Sequence, residues 1–207
     1  MQVSPDPIET MPAPAVKPPP LDTTGRRVVD VADGLFNARG IRSVRHLEVA
    51  TATGVELTAV NRLFGSKAGL VEVVLEARHV AWSQHIADAT VEVDDPRDKL
   101  LAIFGYLEEW FAEDSFQGCV FINSYGELGR NNARIAEMAQ RHKESFVALV
   151  TALALDAGLP PELGASIALL AEGAQVSAAM THTVSPAREA RQAAAMLIAL
   201  YQDEPAA

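Results

Sequence analysis

The chain has 207 residues, of which 49% are hydrophobic and 21% are charged, so we expect a globular protein of one or two domains. Its formal net charge of -10, taken alone, argues against a nucleic-acid partner, because phosphates repel an acidic surface. The charge is unevenly spread, however. Residues 23–70 contain seven Arg or Lys and four acidic residues, whereas residues 71–207 contain nine and twenty. A short basic segment thus precedes a long acidic one.

The cysteine content and the length of the apolar stretches indicate the cellular compartment in which the protein is expected. Cys119 is the single cysteine, so an intrachain disulfide and a CxxC zinc site are both excluded. The N-terminus lacks the basic start and apolar stretch of a signal peptide, and no window reaches about 18 uninterrupted apolar residues. We therefore expect a cytoplasmic protein without a membrane partner.

Residues 1–22 are expected to form a disordered tail, because they hold seven of the twelve prolines and proline disfavours helices. Apolar residues then recur at helical spacing through the rest of the chain. These spacings and the Gly and Pro stop signals predict helices at 28–39, 44–53, 57–64, 67–90, 96–111, 118–128, 132–157, 161–181 and 187–201. Since no segment alternates with the period of a strand, the predicted fold class is all-α.

Two of these helices have the spacing of a helix-turn-helix. They are short, and Gly54 permits the tight turn between them. The outer face of the second, the recognition helix, is polar and small enough to enter a major groove, and basic residues flank it where phosphates would lie. The candidate DNA-contacting residues are Leu57, Thr58, Ala59, Asn61 and Arg62 on the recognition helix, with Arg42, Arg45 and Lys67 beside it.

Two segments resemble the TetR family of transcriptional regulators: VVDVADGLFNARG, residues 28–40, and VATATGVELTAVNRLFGSKAGL, residues 49–70. The first is similar to the first helix of the family, and the second to its helix-turn-helix and the start of its fourth helix. The positions that match the family's spacings are Leu35, Phe36, Gly40, Val49, Ala50, Gly54, Val55, Phe64, Ser66, Lys67 and Leu70.

Several positions depart from the family pattern. Asn61 stands where an aromatic residue commonly contacts phosphate, and His46 occupies a position that is usually small or apolar. Glu56 opens the recognition helix in place of the usual serine, and it would either favour the helix dipole, repel a phosphate or accept a hydrogen bond from a cytosine amino group. The other departures are Arg45 at a threonine cap position and Leu47, Leu57 and Leu63 at outward positions that are normally polar.

The resemblance implies an N-terminal three-helix DNA-binding domain with a helix-turn-helix, residues 23–69, and a C-terminal helical ligand-binding and dimerisation domain, residues 70–203. It implies a homodimer that binds a palindromic double-stranded DNA operator, as a repressor, and is released by a small, largely apolar effector. The alternative is a helical ligand-binding or interaction protein whose helix-turn-helix no longer reads DNA.

In the resembled family the acidic helical region binds the effector, which requires apolar walls and a few polar groups. The residues that we expect to line this site are Trp82, Phe104, Leu107, Trp110, Phe111, Phe121, Asn123, Tyr125, Met138, His142 and Phe146. For any one of the large apolar residues, ordinary core packing is the alternative.

The last two predicted helices are rich in small residues, and in the resembled family they build the dimer interface. We expect an isologous interface formed by Leu170, Ala174, Ser177, Met180, Ala194, Leu197 and Tyr201, with internal packing as the alternative. No nucleophile elbow, phosphate-binding loop or dinucleotide motif is present, and the five histidines show no ligand spacing. We therefore expect no enzyme activity, no cofactor and no metal site.

Overall fold

The structure is a computed structural model that describes residues 21–201. Residues 1–20 of the predicted proline-rich tail lie outside the described residues. The last two residues of that predicted tail belong to the fold instead. Leu21 packs against a hydrophobic core, and Asp22 is the N-cap of the first helix, where its Oδ1 accepts a hydrogen bond from the Gly25 N–H at 2.7 Å.

The described residues are helical almost throughout and contain no strand, which confirms the all-α prediction. The helices are α1 Thr23–Arg39, α2 His46–Thr53, α3 Leu57–Phe64, α4 Lys67–Val91, α5 Pro96–Phe111, α6 Val120–Ser124, α7 Ala133–Asp156, α8 Pro161–Thr181 and α9 Ser185–Ala199. A π-helical turn, Tyr125–Gly129, directly follows α6.

The π-helical turn is the main difference from the predicted helices. The sequence predicts one helix over residues 118–128, whereas the structure has the short α6 followed by five residues of π-helix. Gly126 and Gly129 lie in this turn, and glycine weakens the preference for a regular α-helix. The turn brings Glu127 to the loop between α1 and α2, where its carboxylate accepts hydrogen bonds.

The described chain divides into two compact units. The N-terminal unit comprises residues 21–81 and 119–142, and the C-terminal unit comprises residues 82–118 and 143–201. Both α4 and α7 contribute residues to each unit. The predicted domain limits of 23–69 and 70–203 follow chain order, whereas this division groups residues 119–142 with the first helices.

The core of the N-terminal unit explains why its short helices are stable. Helices of eight residues are marginal alone, so α2 and α3 depend on the apolar side chains that they bury. α1 contributes a stripe of buried residues at helical spacing. α4, which follows α3 in the chain, contributes further buried residues to the same core. The fully or nearly fully buried members include Val28, Ala32, Phe36, Val49, Ala50, Val60, Phe64, Leu70, Val74, Phe121, Ile135 and Met138.

The C-terminal unit is a bundle in which α9 packs against both α5 and α8. Phe104 and Phe146 are its largest fully buried side chains. Close approach between α7 and α8 depends on Gly164, because a Cβ at that position would lie only 2.6 Å from the Thr151 Cα. Arg188 of α9 pairs with Glu108 of α5 at 2.7 Å on the surface of the unit.

Among the described residues, α8 is the one helix that is long and apolar enough to cross a membrane by length and composition. Its inner face, which includes Leu163, Ile167, Ala171 and Ala178, belongs to the core of the C-terminal unit. A helix that packs in a core needs apolar residues on its inner face, and this explains much of the apolar composition of α8.

Candidate functional site

The two short helices α2 and α3 form the predicted helix-turn-helix. Gly54 ends α2 in the left-handed conformation, with φ at 68°, and this is a conformation that glycine adopts without strain. Val60 and Phe64 of α3 are buried in the core of the N-terminal unit. One face of α3 is therefore fixed inward, and the opposite face lies in solvent.

The outward face of α3 carries three exposed polar side chains, as predicted: Thr58, Asn61 and Arg62. Ala59 is half-buried beside them. Leu57 differs from the prediction, because its side chain packs against the core of the N-terminal unit. It lies three residues before Val60, which places both residues on the inner face of the helix. Leu57 is therefore not part of the exposed set.

The start of α2 is fixed by Glu48. Its Oε2 accepts a hydrogen bond from the Arg45 N–H at 2.9 Å, and its Oε1 accepts one from Arg39 at 2.8 Å. These contacts, first the Arg45 backbone bond and then the Arg39 side-chain bond, lower the pKa of the Glu48 carboxyl. The Arg45 side chain itself is 78% exposed, so it is placed where a phosphate could reach it. Leu47 and Leu63 are also exposed, as the sequence predicts.

Arg42 is bound by Glu127, a residue that sequence reasoning missed, and Lys67 is bonded in turn to Arg42. The two Glu127 carboxylate oxygens accept hydrogen bonds from the Ile41 N–H at 2.9 Å and the Arg42 N–H at 2.8 Å. The Arg42 guanidinium donates to the Glu127 backbone carbonyl, and Lys67 Nζ donates to the Arg42 carbonyl at 3.0 Å. Burial lowers the pKa of the Lys67 ammonium, while the nearby Glu127 charge opposes this shift.

We call Glu127 and its contacts to residues 41–42 the Glu127 clamp. The clamp joins the π-helical turn to the loop that leads into the helix-turn-helix. Gly40 belongs to the same junction, since its φ is +77° and a Cβ there would lie 3.3 Å from Glu127 Oε1. No local sequence signal could have revealed it, because the partners are about 85 residues apart in the chain.

The predicted effector residues separate into the two units. Six of them belong to the C-terminal unit, where Trp82 and Phe146 meet edge to face with ring centroids 5.1 Å apart. Trp110 is half-buried and packs edge to face on Phe116, at 5.0 Å. The C-terminal set is Trp82, Phe104, Leu107, Trp110, Phe111 and Phe146. Their packing is that of a core, and their role towards an effector stays a prediction.

The other predicted effector residues lie in the N-terminal unit. Phe121 stacks on the His142 ring with a centroid distance of 3.7 Å, and Met138 is buried in the same unit. Asn123 and Tyr125 differ from these, because both are exposed. The structure therefore brings Phe121 and His142 into contact and leaves the two predicted polar partners at the surface.

The sequence missed His79, which completes a cluster with Phe121 and His142. His79 Nδ1 lies 3.0 Å from His142 Nδ1, so one imidazole N–H donates a hydrogen bond to the other ring. Burial lowers the pKa of the His79 imidazole, and the positive charge of Arg141 lowers it further. The sequence indicates that His79 lies on a helix, α4. It contains no signal that His79 would contact His142 of α7.

Glu76 lies one turn before His79 on the same helix and is buried. Burial raises the pKa of its carboxyl, and the charges of Arg141 and Arg134 oppose that shift. Glu76 Oε1 and Arg141 Nε are both buried without a hydrogen-bond partner within the part of the chain that the structure describes. Polar groups therefore accompany the aromatic pair in the interior of the N-terminal unit.

No protein-family model matches the sequence, and no curated protein matches it. Its architecture, in contrast, has close parallels. A crystal structure of SCO4454, a TetR-family transcriptional regulator from Streptomyces coelicolor, matches with a TM-score of 0.80 at 18% sequence identity. The match covers 88% of this chain and 98% of that chain. The chain has the TetR fold.

Two further solved structures agree with this assignment. A TetR transcriptional regulator from Chloroflexus aurantiacus matches with a TM-score of 0.74 at 23% identity, covering 85% of this chain and 94% of that chain. The reduced form of NemR from E. coli matches with a TM-score of 0.75 at 17% identity, covering 84% and 95%. The predicted resemblance is therefore confirmed for the fold, including the helix-turn-helix followed by a helical region.

The predicted dimer interface needs a correction at two of its residues, which are buried within the chain. Ala174 and Ala194 are 4% and 0% exposed, so packing within the chain already buries both side chains and they are not part of an exposed face. Leu170 and Leu197 are half-buried against the core of the C-terminal unit. Ser177, Met180 and Tyr201 are exposed, as an interface requires.

The exposed apolar residues of α8 and α9 were largely missed. They follow the helical spacing of one outward face on each helix, which a helical projection of the sequence could have revealed. This outer apolar face consists of Leu169, Val176 and Met180 of α8 together with Met196 of α9 and its C-cap Leu200. Across residues 21–201, no group of three or more His, Cys, Asp or Glu residues is placed to hold a metal ion.

We predict that acidification destabilises the fold through His79. The pKa of folded His79 lies below its ordinary value of 6.5, so the unfolded chain takes up the proton first. The free energy of unfolding should then fall as the pH drops through 6.5 towards the lowered pKa. Thermal melts at about pH 7.5 and 5.5 measure this slope, which should be smaller in His79→Gln.

His85→Gln is the matched control, because His85 also lies on α4 but is exposed. It should retain the slope of the wild-type protein. Equal slopes in wild type and His79→Gln would contradict the assignment of this pH dependence to His79.

Proposed function

We propose that this protein is a ligand-responsive transcriptional regulator, a repressor, that binds a palindromic DNA operator as a homodimer and releases it when a small effector binds. The observation that carries this proposal is the exposed polar face of α3, with Thr58, Asn61 and Arg62, held outward by the buried Val60 and Phe64. This is the arrangement that a recognition helix needs to enter a major groove. Such a role is exercised in the cytoplasm and requires no catalysis.

The charge distribution supports the same proposal. The seven Arg and Lys residues among residues 23–70 outnumber the four acidic ones, while the rest of the chain is strongly acidic. An acidic body disfavours unspecific contact with phosphates, so binding would rest on the basic segment alone. Because one such segment offers few phosphate contacts, two subunits are needed for useful affinity.

The alternative function, a helical ligand-binding or interaction protein that no longer reads DNA, is favoured by one specific observation. The Glu127 clamp occupies the Arg42 amide and guanidinium, and Lys67 Nζ is bonded to the Arg42 carbonyl. Two of the predicted phosphate contacts are thus already used within the chain. DNA selection separates the two functions.

We predict that the purified protein enriches a palindromic motif from a random duplex pool and that Arg62→Ala weakens binding to it. If Arg62 contacts a base, its loss should cost about 1–3 kcal/mol and relax specificity at one position of each half-site. Titrations at several salt concentrations, followed by fluorescence anisotropy, measure both the affinity and its salt dependence.

Arg97→Ala is the control, because Arg97 lies on α5 in the C-terminal unit, outside the helix-turn-helix. It should leave the motif and the affinity unchanged. Absence of any enriched motif, together with identical behaviour of the Arg62 and Arg97 variants, would favour the alternative function.

The outer apolar face supports the homodimer part of the proposal. Leu169 is 70% exposed, Met180 77% and Leu200 74%, so three large apolar side chains lie in solvent in the single chain. Leu169 and Met180 lie on α8, Leu200 is the C-cap of α9, and these two helices pack on each other. We propose that a second copy of the chain covers this face in an isologous contact.

We predict that Leu169→Asp converts the protein to a monomer at micromolar concentration. The substitution would bury one uncompensated charge per subunit, at a cost of about 3–5 kcal/mol each. Light scattering coupled to size-exclusion chromatography measures the mass, and circular dichroism confirms that the helices remain. Leu155→Asp is the control, since Leu155 is 56% exposed at the end of α7 and not on this face, and it should stay dimeric. A monomeric wild type would refute the homodimer.

We propose the aromatic cluster of the N-terminal unit as the effector site, with Phe121 and Met138 as apolar walls and His79 and His142 as polar groups. The effector is therefore expected to be small and largely apolar. α6, which carries Phe121, continues into the π-helical turn and hence into the Glu127 clamp. A ligand that displaces the Phe121 ring would thereby disturb the loop before the helix-turn-helix.

We predict that Phe121→Leu weakens the effector response. A panel of small aromatic and aliphatic molecules is first screened for compounds that release operator DNA from the wild-type protein. Each should need about tenfold higher concentration with Phe121→Leu, which corresponds to about 1.4 kcal/mol. Phe116→Leu, in the aromatic cluster of the C-terminal unit, should respond like the wild type. Equal loss in both variants would contradict the assignment.

A further inference from the structure

Two unusual side chains of the helix-turn-helix contact each other. His46 is the first residue of α2, and Asn61 lies on the exposed face of α3. His46 Nδ1 is 2.8 Å from Asn61 Oδ1, which is the distance of a good hydrogen bond. The contact joins the two helices at the surface that the proposed function assigns to DNA.

The environment of His46 fixes which atom carries the proton. Its other ring nitrogen, Nε2, is buried and has no hydrogen-bond partner among the described residues. A buried N–H without an acceptor is rarer and less favourable than a buried acceptor without a donor. The neutral ring is therefore expected to carry its proton on Nδ1, which then donates to Asn61 Oδ1.

This proton position also fixes the orientation of the Asn61 amide. The flipped amide would place its NH2 group against Nδ1, and the ring would then have to carry its proton on the buried Nε2. With Oδ1 directed at His46, the NH2 group of Asn61 points away from the ring. The exposed end of the Asn61 side chain is thus a hydrogen-bond donor.

We propose that His46 is a specificity-determining residue for DNA, which holds the Asn61 amide so that its NH2 group reads the acceptor edge of guanine. This inference rests on the proposed function, because it assigns a base preference to the proposed recognition helix. His46 need not touch the DNA itself. It acts as a positioning residue through Asn61.

The chemistry of the base edges explains the preference for guanine. In the major groove guanine presents two neighbouring acceptors, N7 and O6, and an NH2 group can serve both. Asparagine usually pairs with adenine through its oxygen and its nitrogen together. In this protein the oxygen is directed at His46, so the two-point contact with adenine is disfavoured.

The experiment is selection of duplexes from a random pool by the full-length wild-type protein, His46→Ala, His46→Gln and Asn61→Ala. In the wild type, one position of each half-site should be guanine, and Asn61→Ala should lose preference at that position. His46→Ala frees the Asn61 amide, so adenine should rise there at least several-fold relative to guanine. His46→Gln can still donate through its own amide and should restore the wild-type preference.

Thr51→Ala is the matched control, because Thr51 is exposed on α2, the helix of His46, and is not one of the predicted DNA contacts. It should leave the position read by Asn61 unchanged. An identical motif for wild type and His46→Ala, or adenine at the position that depends on Asn61, would overturn this inference and leave the proposed function intact. Failure of the wild type to enrich any motif would overturn both.

A measurement on the wild-type protein guards against a variant that does not fold. The 15N shifts of the His46 ring distinguish the two neutral tautomers. A protonated Nδ1 with a bare Nε2 is the expected result. A proton on Nε2 would overturn the inference regardless of the behaviour of any variant.

Discussion

The structure of the proposed DNA-binding surface depends on burial of a few apolar side chains by two helices that are too short to be stable alone. α2 and α3 have eight residues each, so their hydrogen bonds do not offset the cost of ordering them. Val49, Val60 and Phe64 anchor them to the core that α1 and α4 complete. The outward direction of Asn61 and Arg62 is a consequence of this anchoring.

The same core receives a second group of residues from far along the chain. Phe121, Ile135 and Met138 are buried with α1–α4, so residues 119–142 are part of the unit that carries the helix-turn-helix. A group that binds near Phe121 would therefore act directly on the core into which α2 and α3 pack. The proposed effector response needs no signal to travel beyond this one unit.

Local patterns in the sequence predicted the fold well and the long-range contacts poorly. Gly54, Val60 and Phe64 define the helix-turn-helix by spacing alone, because a turn and an apolar stripe are local features. The Glu127 clamp and the pairing of His79 with His142 join residues more than 60 positions apart, which periodicity does not encode. Leu57 and Ala174 were predicted to be exposed but are not. When about half of a helix is apolar, its sequence does not define which residues at the border of the apolar stripe face the core.

The Glu127 clamp has a consequence for how the chain meets a phosphate. Two backbone amides and a guanidinium converge on one residue, which is the kind of donor set that otherwise receives an anion from solution. A DNA phosphate arriving at residues 41–42 would have to displace a carboxylate that is tethered in place. In the proposed function, this loop would add to DNA affinity only the difference between binding the phosphate and binding the Glu127 carboxylate, which is always present at high effective concentration.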